Sequence, residues 1–210
     1  MAHELAGKYK NRKTEIKGRL KEFKEVWSRS DKKIFTELCF CICTPQSKAV
    51  YCDKAVRGLE KSGKLFDGKV DEVREGLVAV RFPNNKARFI VESRGVFLEK
   101  GKIRIKDKLD TKNIKDTRDW LVKNVKGIGY KEASHFLRNI GFGRHLAILD
   151  VHILKNMLRY GIIKEGPKTI SRKTYIDLEE KLEKFADKIG IPMDELDLVF
   201  WSEQTGMVFK

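Results

Sequence analysis

The chain has 210 residues, enough for one large domain or two small ones with a real core. Hydrophobic residues make up 41% of it, which excludes a disordered chain, and no run of about 18 apolar residues is present to span a membrane. Lys+Arg exceed Asp+Glu by 45 to 30, a net charge of +15. A thermophile's mesh of Lys/Glu surface pairs would also use many charges, and glutamine occurs only at Gln46 and Gln204. Ion-pair networks are balanced, however, so an excess of this size points to a polyanionic partner, nucleic acid first.

Helical patterning runs through almost the whole sequence. The opening MAHELAGKYKNRK lacks the apolar core of a signal peptide, so an intracellular protein is expected. Residues 3–28 carry a charged amphipathic pattern with Phe23, Val26 and Trp27. A second helix is expected from Asp31, as N-cap, to Cys43, with Pro45 breaking it. Cys39, Cys41, Cys43 and Cys52 are the only cysteines. They lack CxxC spacing and nearby histidines, so they read as buried free thiols and not as metal ligands. No cysteine follows Cys52, which excludes a C-terminal iron–sulfur cluster. Further helices are expected at 47–61, 70–80, 85–100 and 114–124, with a short strand at 102–108.

The segment Leu121-Val-Lys-Asn-Val-Lys-Gly-Ile-Gly-Tyr-Lys-Glu-Ala133 is the most informative. An apolar helix meets Gly127-Ile128-Gly129 and another helix follows. Ala133, Phe136, Leu137 and Ile140 recur at the spacing of one buried face. The glycines permit a hairpin too tight for side chains, and Ile128 can plug the gap between the helices. Free N–H groups at the start of the second helix, with its dipole, form an anion site suited to a DNA phosphate. A plain αα-turn is the simpler alternative. A dinucleotide site is excluded, because GxGxxG fails at Glu132 and no strand precedes it.

Lys131 lies off the buried stripe, and the positive potential of a helix N-terminus favours the neutral amine that a nucleophile must be. From the hairpin alone, nucleophile and phosphate ligand are equal readings. Asp150 sits where an apolar run ends and a helix begins, so it is either an ordinary N-cap or a catalytic carboxylate. Beyond it, Tyr175, Leu178, Leu182, Phe185, Ala186 and Ile189 trace another helical stripe, and a last helix is expected at 194–203, started by Asp194. The fold class is all-α.

The segments VKGIGYKEA (125–133) and LDVHI (149–153) together resemble the helix-hairpin-helix DNA glycosylases. ELCFCICTPQS (37–47) is similar to that family's early helix and wedge loop, and the ending LDLVFWSEQTGMVFK (196–210) is similar to the archaeal-type (type 2) 8-oxoguanine DNA glycosylase/lyases. Pro83-Asn84-Asn85 departs from the more basic stretch expected there. The resemblance implies two helical subdomains, one at 30–143 bearing the hairpin and one combining 1–29 with 144–210. The active site would lie in the cleft between them, with Lys131 and Asp150 on opposite walls. It implies Lys131 as nucleophile, Asp150 as catalytic carboxylate and Gly127 and Gly129 as the DNA-gripping turn. Gln46 would be the wedge that fills the hole left by the extruded base, and His152 a phosphate contact. Phe82 and Trp201 would sandwich the base, and the terminal carboxylate of Lys210 would contact it. Core burial is the competing reading for both aromatics. Carbonyls of Lys123, Val125 and Ile128 would hold a monovalent cation, as in some relatives. The chemistry implied needs no cofactor and no catalytic metal. The partner implied is double-stranded DNA containing 8-oxoguanine or an abasic site, met by a monomer from a source like the thermophilic archaea. A helix-hairpin-helix glycosylase of another lesion specificity and a non-catalytic DNA-binding module remain as alternatives.

Overall fold

Ala2–Trp27 (α1) is one helix of 26 residues, with Leu5, Ile16 and Phe23 buried and its charged residues outward. The computed structural model describes the backbone from Ala2, and side chains from Glu4, through to Lys210. Asp31–Cys43 (α2) follows after a short turn. Its N-cap is Ser30, whose hydroxyl accepts from the Lys33 N–H, and not Asp31 as the sequence suggested. Asp31 stands one position inside, where a carboxylate favours the helix dipole, and its Oδ1 accepts from the Lys106 N–H at 2.9 Å. Every residue from Ile34 to Cys43 is buried, so α2 is a core helix on all sides. Its three cysteines, and Cys52 on Ala49–Lys61 (α3), are buried free thiols, as read from the spacing. Burial pushes the thiols of Cys39, Cys43 and Cys52 up, which keeps them protonated and inert.

Lys64–Asp67 (α4) is a single turn that the sequence pattern did not mark. Val70–Gly76 (α5) stops short of the expected residue 80, because Leu77 and Val80 turn inward and are buried in successive turns. Pro83–Phe97 (α6) begins with Pro at its first position, where the missing N–H costs nothing. The strand expected over 102–108 is shorter. Lys102–Ile103 (β2) pairs antiparallel with Leu98–Glu99 (β1), Leu98 opposite Ile103. The linking residues Lys100 and Gly101 both have positive φ, as a tight two-residue hairpin demands. Beyond Ile103 the chain enters a 3-10 turn at Lys106–Lys108, which ends the pairing.

Ile114–Asn124 (α7) and Tyr130–Asn139 (α8) flank the glycine turn. Val151–Arg159 (α9), Arg172–Ile189 (α10) and Met193–Thr205 (α11) complete the chain. On α10 the expected stripe is buried at Tyr175, Leu178, Leu182 and Ala186, while Phe185 and Ile189 are half-buried. α11 starts at Met193 with Pro192 before it, one residue earlier than expected, and Asp194 lies in its first turn. The chain divides into two compact units, Val26–Phe136 and the segment up to Glu25 together with Leu137–Lys210. No helix among the described residues is long and apolar enough to cross a membrane.

Candidate active site

The hairpin of the first unit is built on a close approach. Gly127 has φ +81, and a Cβ there would fall 2.4 Å from a ring carbon of Phe89. Both the backbone conformation and the space therefore call for glycine. Ile128 is buried and plugs the turn. Ala133 donates to the Gly129 carbonyl at 2.9 Å, opening α8. The two helices are tied together by Tyr130, whose hydroxyl donates to Asp119 at 2.7 Å, and by buried Arg118, which donates to Ser134 and lies over the Tyr130 ring. The N–H groups at the turn, expected as an anion site, are not all free. Gly129 donates to Oε2 of Glu132 at 3.1 Å, and Ile128 donates to the Val125 carbonyl at 3.4 Å. A helix N-terminus attracts an anion, and Glu132 in the first turn is the one the sequence supplies.

Lys131 is partly exposed, with its amine 3.0 Å from Oε1 of the same Glu132. One carboxylate thus bridges the hairpin N–H and the candidate nucleophile. The carbonyls of Lys123, Val125 and Ile128 lie at the C-terminal end of α7 and in the turn. They are neutral oxygen donors of the kind an alkali cation takes, and the long bond to Val125 leaves that oxygen open to a second partner. The donor set fits such an ion.

In the same unit Gln46 is exposed in the turn between α2 and α3, and Phe82 is half-exposed at the start of α6. Both hold positive φ, 55° and 58°. Core burial therefore does not account for Phe82. The Arg81 guanidinium lies over its ring, 5.4 Å from the centroid.

The second unit delivers Asp150. The segment 146–149 is buried and is held by α10: Tyr175 donates to the Ala147 carbonyl at 2.7 Å, Leu149 donates to the Tyr175 hydroxyl, and Ala147 donates to Glu179 at 2.8 Å. Asp150 then caps α9, its Oδ1 accepting from the N–H groups of His152 and Ile153, both at 2.8 Å. Oδ2 has no hydrogen-bond partner among the described residues. The capping reading and the catalytic reading are thus compatible, one oxygen to each. His152 is half-buried, and its Nδ1 has no partner among the described residues. Nearby, the buried pair Arg138–Asp197 closes at 2.7 Å. Burial pushes the Asp197 carboxyl up to about 7, against the pull of Arg138 and with the charges of Asp150 and Asp194 adding to the rise.

Trp201 is half-buried on α11 and stacks on Phe209, with ring centroids 6.4 Å apart. Val208 is buried, and Arg12 donates to the Gly206 carbonyl at 3.0 Å. The tail is therefore docked as far as Phe209, and Lys210 is half-buried. Glu179, Glu132 and Lys86 escaped the sequence reading as site residues, and Tyr175 was read only as part of the buried stripe of α10. Glu179 left a signal, since it falls on the buried stripe of α10 where a carboxylate must have a partner.

The family model described as 8-oxoguanine DNA glycosylase matches residues 16–191. The chain is 45% identical over 210 residues to an 8-oxoguanine DNA glycosylase/AP lyase of Fusobacterium nucleatum, covering 99% of this chain and 97% of that one. It is 38% identical over 202 residues to a protein of the same description from Methanocaldococcus jannaschii, covering 93% and 91%. Such relatives thus occur in bacteria as well as archaea, so the likeness does not narrow the source to archaea. The fold is similar to the crystal structure of the 8-oxoguanine DNA glycosylase of Thermotoga maritima, with TM-score 0.87, 37% identity and coverage of 100% and 98%. It is equally similar to the M. jannaschii 8-oxoguanine glycosylase/lyase in complex with a 15mer DNA containing 8-oxoguanine, with TM-score 0.88, 35% identity and coverage of 99% and 100%.

Proposed function

Because the chain belongs to the 8-oxoguanine DNA glycosylase family, we propose that it excises 8-oxoguanine from duplex DNA and nicks the abasic site it creates, with Lys131 as nucleophile and Asp150 as electrostatic catalyst. The protein acts inside the cell, where its DNA is. The observation that carries the residue roles is the division of labour at Asp150: Oδ1 fixes the carboxylate on α9 and Oδ2 remains for substrate.

The damaged base must first leave the stack, at a cost of a few kcal/mol. Phosphates held at Gly127–Gly129 and at His152 anchor the strand. Gln46 fills the vacated hole, Phe82 and Trp201 stack on the base, and the terminal carboxylate of Lys210 accepts from its N–H groups. A monovalent cation on the carbonyls of Lys123, Val125 and Ile128 would add positive charge beneath the phosphate.

The neutral Lys131 amine attacks C1′. The C1′–N9 bond breaks with its electron pair going to the base, which departs after taking a proton. Positive charge on the sugar peaks midway, and the Asp150 carboxylate stabilises it. The amine proton is lost, the sugar ring opens, and a Schiff base links Lys131 to C1′. Loss of a C2′ proton expels the 3′ phosphate by β-elimination. Water then hydrolyses the imine and restores the lysine.

Borohydride trapping tests this reading. Wild-type protein should form a covalent adduct with duplex carrying 8-oxoguanine and with duplex carrying an abasic site. Lys131→Gln should form neither and release no base, while binding DNA within a few-fold. Near-normal base release by Lys131→Gln would reduce the lysine to a phosphate ligand. An absence of adduct with the wild type would favour a non-catalytic DNA-binding module, which the capping role of Asp150 alone would satisfy.

A further inference from the structure

Lys86 is a buried lysine that the mechanism leaves unused. It sits on the first turn of α6, 4% exposed. Its three ammonium N–H groups have three acceptors: the Cys43 carbonyl at 2.6 Å, the Pro45 carbonyl at 2.7 Å and the Ser47 hydroxyl at 3.0 Å. No carboxylate is among them. Burial holds the ammonium below the ordinary lysine value, the thiols of Cys43 and Cys52 oppose this, and the charges of Lys131 and Arg81 add to it. A buried cation without a counter-ion is costly, so its persistence calls for a function that an apolar side chain would not serve.

The acceptors show what that function is. They bracket Gln46, at positions 43, 45 and 47. Gln46 is exposed and has φ 55°, a left-handed conformation that is unfavourable for a non-glycine residue and persists only where its surroundings enforce it. Its side chain is in solvent, so the enforcement acts through the backbone on either side. The same hub reaches a second strained residue. Arg81, next to Phe82, donates its N–H to the Ser47 hydroxyl at 3.0 Å, and the Phe82 carbonyl accepts the first helical N–H of α6, that of Lys86, at 3.2 Å, a backbone bond that any side chain at this position keeps. Phe82, half-exposed with φ 58°, is therefore bracketed as Gln46 is. The two positive-φ residues lie 36 positions apart in sequence, yet one ammonium and one hydroxyl tie their turns together.

We infer that Lys86, through Ser47, is the positioning residue that holds the Gln46 and Phe82 turns as one rigid unit, so that filling the hole in the duplex and stacking on the expelled base are set together. The inference rests on the reading of Gln46 as wedge and Phe82 as base platform. Lys86→Met keeps the aliphatic stem and removes all three donors: the Pro45 carbonyl loses its ammonium partner, while the Cys43 carbonyl keeps the Cys52 thiol and the Ser47 hydroxyl keeps the Arg81 N–H. Ser47→Ala removes the link to Arg81 and one of the three Lys86 acceptors, and leaves the bonds to the Cys43 and Pro45 carbonyls in place.

The experiment compares Lys86→Met, Ser47→Ala, Gln46→Ala and Phe82→Ala in three assays. These are single-turnover 8-oxoguanine excision, nicking of a pre-formed abasic site, and stopped-flow fluorescence of 2-aminopurine placed opposite the lesion, which reports extrusion. Displacement of a positioning group by about 1 Å costs up to roughly a hundredfold in rate, so Lys86→Met should lose about tenfold to a hundredfold in excision and in extrusion. Its abasic-site nicking should stay within about threefold, because that step has no base to unstack. Ser47→Ala should show the same pattern at smaller amplitude, and it carries the test if Lys86→Met does not fold. Normal extrusion by a folded Lys86→Met, or by Ser47→Ala where Lys86→Met fails to fold, overturns the proposal, as does equal loss of excision and nicking. If Gln46→Ala and Phe82→Ala are impaired while Lys86→Met is normal, the proposal falls and the wedge reading stands. If both of those excise normally, the wedge reading has failed, and Lys86 falls with it.

Discussion

Asp150→Asn replaces one carboxylate oxygen by an amide NH2 and keeps the other. The retained oxygen can accept from His152 and Ile153 as Oδ1 does now, at 2.8 Å each. Stability should therefore fall by less than about 1 kcal/mol, since Asn caps as well as Asp. The sugar cation, by contrast, loses its counter-charge, and excision should slow by about 10²–10³. Chemical denaturation and single-turnover excision on the same variant separate the two effects, and a sharp loss of stability with undiminished turnover would leave Asp150 a cap and nothing more. Asp197 is the converse case, a carboxylate with no assigned chemistry but a titration set by burial. Its folded value, about 7, lies above that of an exposed aspartate, because Arg138 only partly compensates for desolvation and Asp150 and Asp194 add repulsion. A raised value means that the folded state binds the proton more tightly than the unfolded chain. The stabilisation is complete below the unfolded value of about 3.9 and is lost as pH rises through about 7. Relative to Asp197→Asn, which cannot titrate, the wild type should lose stability in urea progressively from about pH 4 to about pH 8. Parallel stability profiles for the two proteins would show that Arg138 keeps Asp197 ionised throughout.

Elements were legible where local chemistry decides them. The stripe of α10, the break at Pro45 and the glycine hairpin all follow from spacing or from a backbone demand that only one residue type meets. Boundaries failed where a neighbour distant in sequence intervened. Asp31 looked like a cap and is instead an acceptor for the Lys106 N–H, and the strand expected at 102–108 pairs only at Lys102–Ile103 before a 3-10 turn at Lys106–Lys108 takes its place. At the candidate site, Lys131 and Asp150 were readable because each stands at a helix start with a motif around it. Lys86 was not, because its three acceptors lie about forty residues upstream and nothing in the local pattern of α6 distinguishes it from a surface lysine. The tail lies between these cases. Its apolar residues forecast docking, and Val208 and Phe209 do pack, but which group reads the base is a separate question. Deleting Lys210 moves the terminal carboxylate back by about 3.5 Å of chain, and appending residues converts it to an amide. Both changes should abolish 8-oxoguanine excision while leaving abasic-site nicking intact. Lys210→Ala keeps the carboxylate and should be milder. Full excision by the extended protein would remove the carboxylate from the base pocket.

At the scale of the whole molecule, charge dominates. Thirty acidic side chains can neutralise at most thirty of the forty-five basic ones, and many of the acids are already engaged in short-range surface pairs such as Glu4 with Lys8 and Asp177 with Lys181. Such exposed pairs contribute little to stability, so the excess is not explained by folding. It is available to phosphates, and each phosphate contact releases condensed counterions from the duplex. If about 6 phosphates are neutralised, the logarithm of the binding constant for undamaged duplex should fall against the logarithm of salt concentration with a slope near −5. Lesion-containing duplex should bind more tightly at every salt concentration, yet with the same slope. On the proposed reading the additional contacts in that complex are to the extruded base, through Phe82, Trp201 and the Lys210 carboxylate, and base contacts release no counterions. Binding isotherms for the two duplexes over a range of potassium chloride, with Lys131→Gln to prevent turnover, measure both lines. A flat dependence would remove DNA as the partner that the +15 charge was read to indicate. Lines that diverge would mean that lesion recognition recruits further phosphates, and so that the strand is gripped more extensively once the base has left the stack.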